Sequence, residues 1–262
     1  MPELPEAQTI AHELHQIITG KKITDIVFRR EDIIHPNSEI YSSAYIGAEV
    51  HGVRRFGKKI IITTSSGDIA IQLGMTGKLL IDNQGARNTK HDHLLLTLED
   101  GRVLIFNDVR RFGKIGFFRR VHYEVVDALE INSTHLKHSL SKTNKPIKAF
   151  LMDQKMLSGI GNIYADEICY RTKVHPLRPS KSLSKKEIEL LNDSIHSILL
   201  SAIQYGGSSI SDYVGLFGQK GNFTQKHKVY GRGGKMCYGC GEELQTIKIS
   251  GRTTVFCAKE QK

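Results

Sequence analysis

The chain has 262 residues, 39% of them hydrophobic and 24% charged, a balance that excludes a wholly disordered or fibrous polypeptide and suffices for one large domain or two modest ones. No apolar run approaches the roughly 20 residues of a membrane span, and an N-terminus with two glutamates in its first six residues does not read as a signal peptide. The net charge is +10, unevenly spread: from 214 to 262, nine Lys/Arg face three Glu, so this stretch alone carries +6. Such a segment invites a polyanion, most often nucleic acid, or is a solvated basic face.

Residues 2–19 read as an amphipathic helix. Ile10, Leu14, Ile17 and Ile18 share one face, Pro2, Glu3 and Glu6 suit its first turn, and Gly20 stands where a terminating glycine would. After Lys22 the pattern changes to short β runs over 23–28, 59–64, 68–73, 93–98, 103–106 and 114–118. Ser65-Ser66-Gly67 and Glu99-Asp100-Gly101-Arg102 form hairpin turns between them. This succession predicts a β-sandwich or barrel. From about Ile131 the period becomes helical. Ser184 and Glu187 form a capping box, flanked by Leu183 and Ile188 as a hydrophobic staple. The stripe Ile188, Leu191, Ile195, Ile198, Leu199 and Ala202 then runs to Gly206-Gly207. A glycine-rich loop over 215–221 and a short β/turn segment with three of the four cysteines complete the chain. The expected class is α+β, divided into 1–130, 131–214 and 215–262.

Four features carry chemistry. Met1 precedes a proline and is normally removed in that context, which frees the secondary amine of Pro2. An α-amino group has a pKa of roughly 7.7–8.0, so part of it is neutral near pH 7 and able to attack an electrophilic carbon. Glu3 beside it is a candidate general acid or base, although Pro-Glu is also ordinary helix-start chemistry. Gly159-Ile160-Gly161-Asn162 feeds a helix, a natural phosphate seat or a plain helix connector. Cys237-x2-Cys240-x16-Cys257-x2-Glu260 has zinc-ribbon spacing with glutamate in the fourth place. It suits a Cys3Glu site, a site completed by water, or a metal-free hairpin, whereas Cys169 falls in a helical pattern and reads as core. Finally, basic and apolar residues punctuate the β region: Arg54-Arg55-Phe56-Gly57-Lys58, Leu73-Gly74-Met75-Thr76-Gly77, Lys90-His91-Asp92-His93 and Arg110-Arg111-Phe112-Gly113. Arg and Lys at loop tips hold phosphates, while Met and Phe pack in a core or wedge into a base stack.

Taken together and in this order, these motifs resemble the formamidopyrimidine-DNA glycosylase branch of the Fpg/Nei family of bacterial base-excision repair enzymes. Leu151-Met152-Asp153-Gln154 and Val229-Tyr230-Gly231-Arg232 belong to the same set, which covers essentially the whole chain. The resemblance implies an N-terminal helix with a two-layer β-sandwich, a helix–two-turn–helix domain and a C-terminal zinc-finger-like β-hairpin. It implies damaged double-stranded DNA as partner, a bacterial cytoplasmic setting and one Zn2+ per chain on Cys237, Cys240, Cys257 and Glu260; a monomer is the default expectation. By the same resemblance Pro2 is the nucleophile at C1′ of an extruded oxidised purine, Glu3 the acid/base, and Lys58 a catalytic lysine near the lesion. Met75, Arg110 and Phe112 fill the gap left by the base, Arg110 pairing with its orphaned partner. His91, Asn162, Arg252 and Lys155 contact DNA, and the loop over 215–223 closes on the extruded base. The activity implied is glycosylase with β,δ-elimination. The alternatives are a Nei-like preference for oxidised pyrimidines and a non-catalytic damage-binding protein. The chain departs from the family pattern at Ala7, Gln8, Val109 and Glu260.

Overall fold

Helix α1 (Leu4–Ile18) forms where the periodicity places it, and its first turn closes on a reciprocal capping box between Glu3 and Glu6. Its buried stripe is Ala7, Ile10, Ala11, Leu14 and Ile18. The computed structural model describes residues 2–39, 41–83 and 89–262. Among the described residues up to 118, eight strands follow α1: β1 (Ile23–Phe28), β2 (Val50–Phe56), β3 (Lys59–Thr64), β4 (Gly67–Gln72), β5 (Lys78–Asp82), β6 (Asp92–Leu98), β7 (Val103–Asn107) and β8 (Lys114–Phe118). They pair antiparallel into two four-stranded sheets, in the orders β1-β6-β7-β5 and β2-β3-β4-β8.

Alternation along the strands explains the layering. Ile60 and Ile62 of β3, Ile69 and Ile71 of β4, Leu94, Leu96 and Leu98 of β6, Leu104 and Phe106 of β7, and Ile115 and Phe117 of β8 enter one hydrophobic cluster with the α1 stripe. The strand periodicity predicts six of these eight strands. The other two, β2 and β5, each form one edge of their sheet, the predicted β1 and β8 forming the other edges. Half-exposed β2 carries Gly52, Arg54 and Arg55, so its apolar alternation is diluted; in β5 Leu79, Leu80 and Ile81 run consecutively, without alternation.

The chain divides into two compact units, Met1–His122 with Ile203–Thr224, and Tyr123–Ala202 with Gln225–Lys262. The second unit holds α2 (Ser133–Ser141), α3 (Ile147–Met152), α4 (Asn162–Arg171), most of α5 (Lys185–Gln204) and the antiparallel hairpin of β9 (Gln245–Ile249) and β10 (Arg252–Phe256). Asn132 caps α2 by accepting from the His135 amide, and the Ser184/Glu187 box caps α5. The hairpin has a separate small core of Val229, Cys237, Leu244, Val255 and Cys257, with Tyr170 and Cys240 packed on it. Among the described residues no helix is long and apolar enough to cross a membrane.

Candidate active site

The N-terminal pair is buried and its backbone is pinned. Glu3, 2% exposed, adopts an extended conformation at the helix cap, and its N–H donates to Glu6 Oε2 at 2.7 Å. Pro2 is buried beside it; Met1 lies outside the described residues. The second oxygen of Glu6 accepts the Ser208 N–H at 2.8 Å. Gly207 makes this approach feasible: its φ is +81°, and a Cβ there would stand 2.7 Å from Glu6 Oε1. One carboxylate thus joins the first turn of α1 to the segment after α5, within the same unit.

Lys58 is half-buried in the turn between β2 and β3. Arg55 braces that turn, donating from Nη1 to Gly57 O at 3.1 Å and from Nε to Gln8 Oε1 at 2.9 Å. Gln8, one of the departures from the family pattern, therefore still ties α1 to the lysine-bearing turn.

Met75, Arg110 and Phe112 come together on two adjoining loops, and all three are exposed; the Arg110 guanidinium lies 4.6 Å from the centre of the Phe112 ring. The device that joins the loops is Asp108, fully buried. Its Oδ1 accepts from Thr76 Oγ1 at 2.5 Å and from the Arg110 amide at 3.2 Å, and Oδ2 accepts from the Gly113 amide at 2.8 Å. A Cβ on Gly74, whose φ is +67°, would lie 2.6 Å from Gly113 N, so glycine lets the loops touch. His91 flanks the assembly, its carbonyl accepting the Asp108 amide at 3.0 Å. Val109 is exposed.

In the second unit Gly161 caps α4, and Asn162 instead donates from Nδ2 to Thr253 O at 3.2 Å, which sets it beside Arg252 at the exposed start of β10. Lys155 is exposed on the α3–α4 connection, whose backbone is organised by Gln154: Oε1 accepts from Gly159 N at 3.0 Å and Nε2 donates to Ile160 O at 2.7 Å. The hairpin is clamped from both sides of α4. Asp166 Oδ1 meets Lys148 Nζ at 2.7 Å with both groups buried, and Asp166 Oδ2 accepts the Val255 amide at 3.1 Å. Lys148 also donates to Thr253 O at 3.1 Å and Thr254 Oγ1 at 2.7 Å. Burial pushes the Asp166 carboxyl up to about 7 against the opposing pull of Lys148. Glu167 faces the other way and accepts the amides of Lys228, Val229 and Tyr230. Its burial raises its carboxyl, and those amides oppose the shift.

The sulfurs of Cys237, Cys240 and Cys257 lie within 4.8 Å of one another, the convergence a thiophilic cation needs. Glu260 is not part of this cluster and instead pairs with Lys173. The Tyr170 hydroxyl lies 3.3 Å from Cys237 Sγ. Burial works against the Cys237 thiolate, yet hydrogen bonds from Tyr170 and the Gly239 and Cys240 amides bring its thiol down to about 6. Burial pushes the Cys257 thiol up to about 12. Cys169 is 1% exposed with its thiol raised by burial, which fits the core role.

Sequence reasoning missed Asp108, Lys148, Asp166, Glu167 and Tyr170. Only Asp108 left a trace, standing two residues before Arg110; a buried acid reads like a surface acid until the fold is known.

Two family models match the chain, the formamidopyrimidine-DNA glycosylase N-terminal domain over residues 1–115 and the formamidopyrimidine-DNA glycosylase H2TH domain over 126–214. The chain is 36% identical to a formamidopyrimidine-DNA glycosylase of Listeria monocytogenes and 36% identical to that of Shewanella halifaxensis, with 100% of both chains covered in each case. Among solved structures it superposes on Lactococcus lactis Fpg in complex with abasic-site DNA, with a TM-score of 0.89, 33% identity and 99% coverage of both chains. It also superposes on an L. lactis Fpg mutant bound to Fapy-dG DNA, with a TM-score of 0.89, 33% identity and 100% coverage of both. The chain belongs to the formamidopyrimidine-DNA glycosylase family, the DNA glycosylases of base excision repair.

Proposed function

We propose that the chain is a bifunctional DNA glycosylase and AP lyase that removes oxidised purines, 8-oxoguanine and formamidopyrimidines, from double-stranded DNA. The observation that carries this reading is the buried Pro2–Glu3 pair, where the Glu3 amide is held by one oxygen of Glu6 while the other oxygen of Glu6 anchors that carboxylate to the Ser208 amide. A nucleophile must meet a sugar carbon in one geometry, and such bracing supplies it before DNA arrives.

The target sugar carbon is inaccessible inside the stack, so the nucleotide is extruded. Met75, Arg110 and Phe112 occupy the vacated space, and the planar donor fork of Arg110 pairs with the orphaned base. The Pro2 nitrogen attacks C1′ and the C1′–base bond breaks with its electrons leaving on the base. Loss of the remaining N–H proton and ring opening yield an iminium, with Glu3 exchanging protons at the sugar. The iminium acidifies C2′–H; its loss expels the 3′ phosphate, and a second elimination expels the 5′ phosphate. Lys58 serves the sugar and its phosphates. His91, Asn162, Arg252 and Lys155 hold the strand through phosphates, contacts that position without reading sequence.

Residues 1–130 supply catalysis, 131–214 grip DNA, and 215–262 supply the loop over the base and the hairpin. Cys237, Cys240 and Cys257 fit a zinc ion, which would supply structural closure of the hairpin. Glu260 is turned to Lys173, and the Tyr170 hydroxyl lies beside Cys237. The protein works as a monomer in the bacterial cytoplasm, where reducing conditions keep these thiols free.

Single-turnover excision from duplexes carrying 8-oxoguanine opposite cytosine, or dihydrouracil, tests the reading. Glu3→Gln is expected to abolish 8-oxoguanine release while duplex binding persists, and Pro2→Gly to impair it strongly. Excision of dihydrouracil alone would favour the oxidised-pyrimidine activity. Binding with no excision of either lesion by the wild type would leave a damage-binding protein.

A further inference from the structure

We propose that Glu13 is a positioning residue for base excision, latching the loop over 215–221 onto α1 before any lesion is engaged. The inference rests on the reading that this loop covers the extruded base. Glu13 lies one turn before the end of α1, partly buried, with its carboxylate turned to the loop. Its Oε2 accepts the Leu216 amide at 3.0 Å, and its Oε1 accepts from Gln219 Nε2. Gln219 in turn accepts the Phe217 amide at 3.1 Å, and its carbonyl accepts the Gly215 amide at 2.8 Å. The glutamate and the glutamine together thus satisfy three of the loop's backbone donors.

Three further contacts show that the loop is seated as a unit. The Leu216 side chain is fully buried in the same cluster as the α1 stripe, and its carbonyl accepts the Ile81 amide at 3.2 Å. Gly221 N donates to Ser209 Oγ at 2.9 Å at the other end. Phe217, by contrast, is 61% exposed at the tip, where it lines an open groove of about 460 Å³ together with residues 80–83 and its two neighbours in the loop. The arrangement is a fixed base with an outward-facing aromatic tip. A glycine-rich segment left loose would lose its conformational freedom on closing over the base; a latch made in advance removes that cost from the base-recognition step. Cleavage of a pre-formed abasic site involves no base and does not draw on the loop. Glu13 therefore sets the rate on a lesion base relative to the rate on an abasic site.

The experiment combines amide hydrogen exchange on the full-length protein with single-turnover cleavage of two duplexes, one bearing 8-oxoguanine and one an abasic site. For Glu13→Ala, a helix-favouring change at a partly exposed position, exchange at 215–221 is expected to quicken about tenfold or more, the scale of a lost charge-assisted bond. 8-Oxoguanine excision should slow about tenfold, with abasic-site cleavage within about twofold of wild type. Glu13→Gln, which keeps one acceptor for Leu216 N, should recover most of the excision. Unchanged exchange at 215–221 would overturn the latch, and so would equal losses on both duplexes. If the wild type leaves 8-oxoguanine intact yet cuts the abasic duplex, the lesion assignment fails, while the exchange result still decides the latch.

Discussion

The two units solve the same mechanical problem, holding exposed functional side chains still, by different means. In the β unit a large cluster built by α1 and both sheets supplies stability, and buried carboxylates position the loops. Glu6 holds the segment after α5, and Asp108 joins the loops of Met75 and Arg110. The hairpin of the second unit has a five-residue core, too small to fold on its own account, so it borrows from α3 and α4. Lys148, Asp166 and Glu167 reach it with buried charge, and three thiols converge to within 4.8 Å of one another. Site rigidity is thus local chemistry in the first unit and imported anchorage in the second. Perturbations should spread accordingly.

Removing one partner of the Lys148–Asp166 pair is the sharpest way to break the contrast. Lys148→Met leaves a buried carboxyl without its cation and should cost about 3–5 kcal/mol in denaturant unfolding of the second unit. The sign of the pH dependence follows from the raised Asp166 carboxyl. A group whose folded pKa lies above its unfolded value contributes stability that is present below the unfolded pKa and is lost as pH rises through about 7. Losing Lys148 removes the group that holds this carboxyl down, so the deficit of Lys148→Met should stay level at lower pH and grow as pH rises past about 7, and a pH-independent deficit would show that Asp166 is not the group left exposed to charge.

Asp108→Ala probes the other solution. It strands the Thr76 hydroxyl and the Arg110 and Gly113 amides, at about 1–3 kcal/mol for a buried unsatisfied group. Because the surrounding cluster is large, the expected outcome is local: faster amide exchange in the two loops and weaker lesion-duplex binding, with the unfolding midpoint of the second unit unmoved. Chelation of metal from purified protein should do the converse, loosening amides of the hairpin while leaving the β unit as it was. Smallest of all, Ser184→Ala removes a helix cap from α5 and should cost about 1 kcal/mol in thermal unfolding.

Most of the fold was legible because its elements repeat a simple period: the α1 stripe, six alternating strands and the α5 stripe with its box. The strands that escaped lack a clean alternation: Gly52, Arg54 and Arg55 dilute it in β2, and Leu79, Leu80 and Ile81 follow one another in β5. Motifs marked the candidate site residues, and the structure sets buried Pro2 beside buried Glu3 and stacks the Arg110 guanidinium against the Phe112 ring. No motif marked the scaffolding. Asp108, Lys148 and Asp166 act through burial and partners as many as 106 residues away in the chain, as Lys148 with Thr254, and no local pattern records that. At Glu260 spacing and structure differ: the fourth ribbon position carries a carboxylate that pairs with Lys173.

The central claim is that the freed amine of Pro2 does the chemistry. It is tested most directly by borohydride trapping on a duplex carrying 8-oxoguanine opposite cytosine, followed by peptide mapping of the adduct. A covalent adduct on the N-terminal proline is the result expected. An adduct on a lysine, or none from protein whose N-terminus is confirmed as free proline, would contradict it.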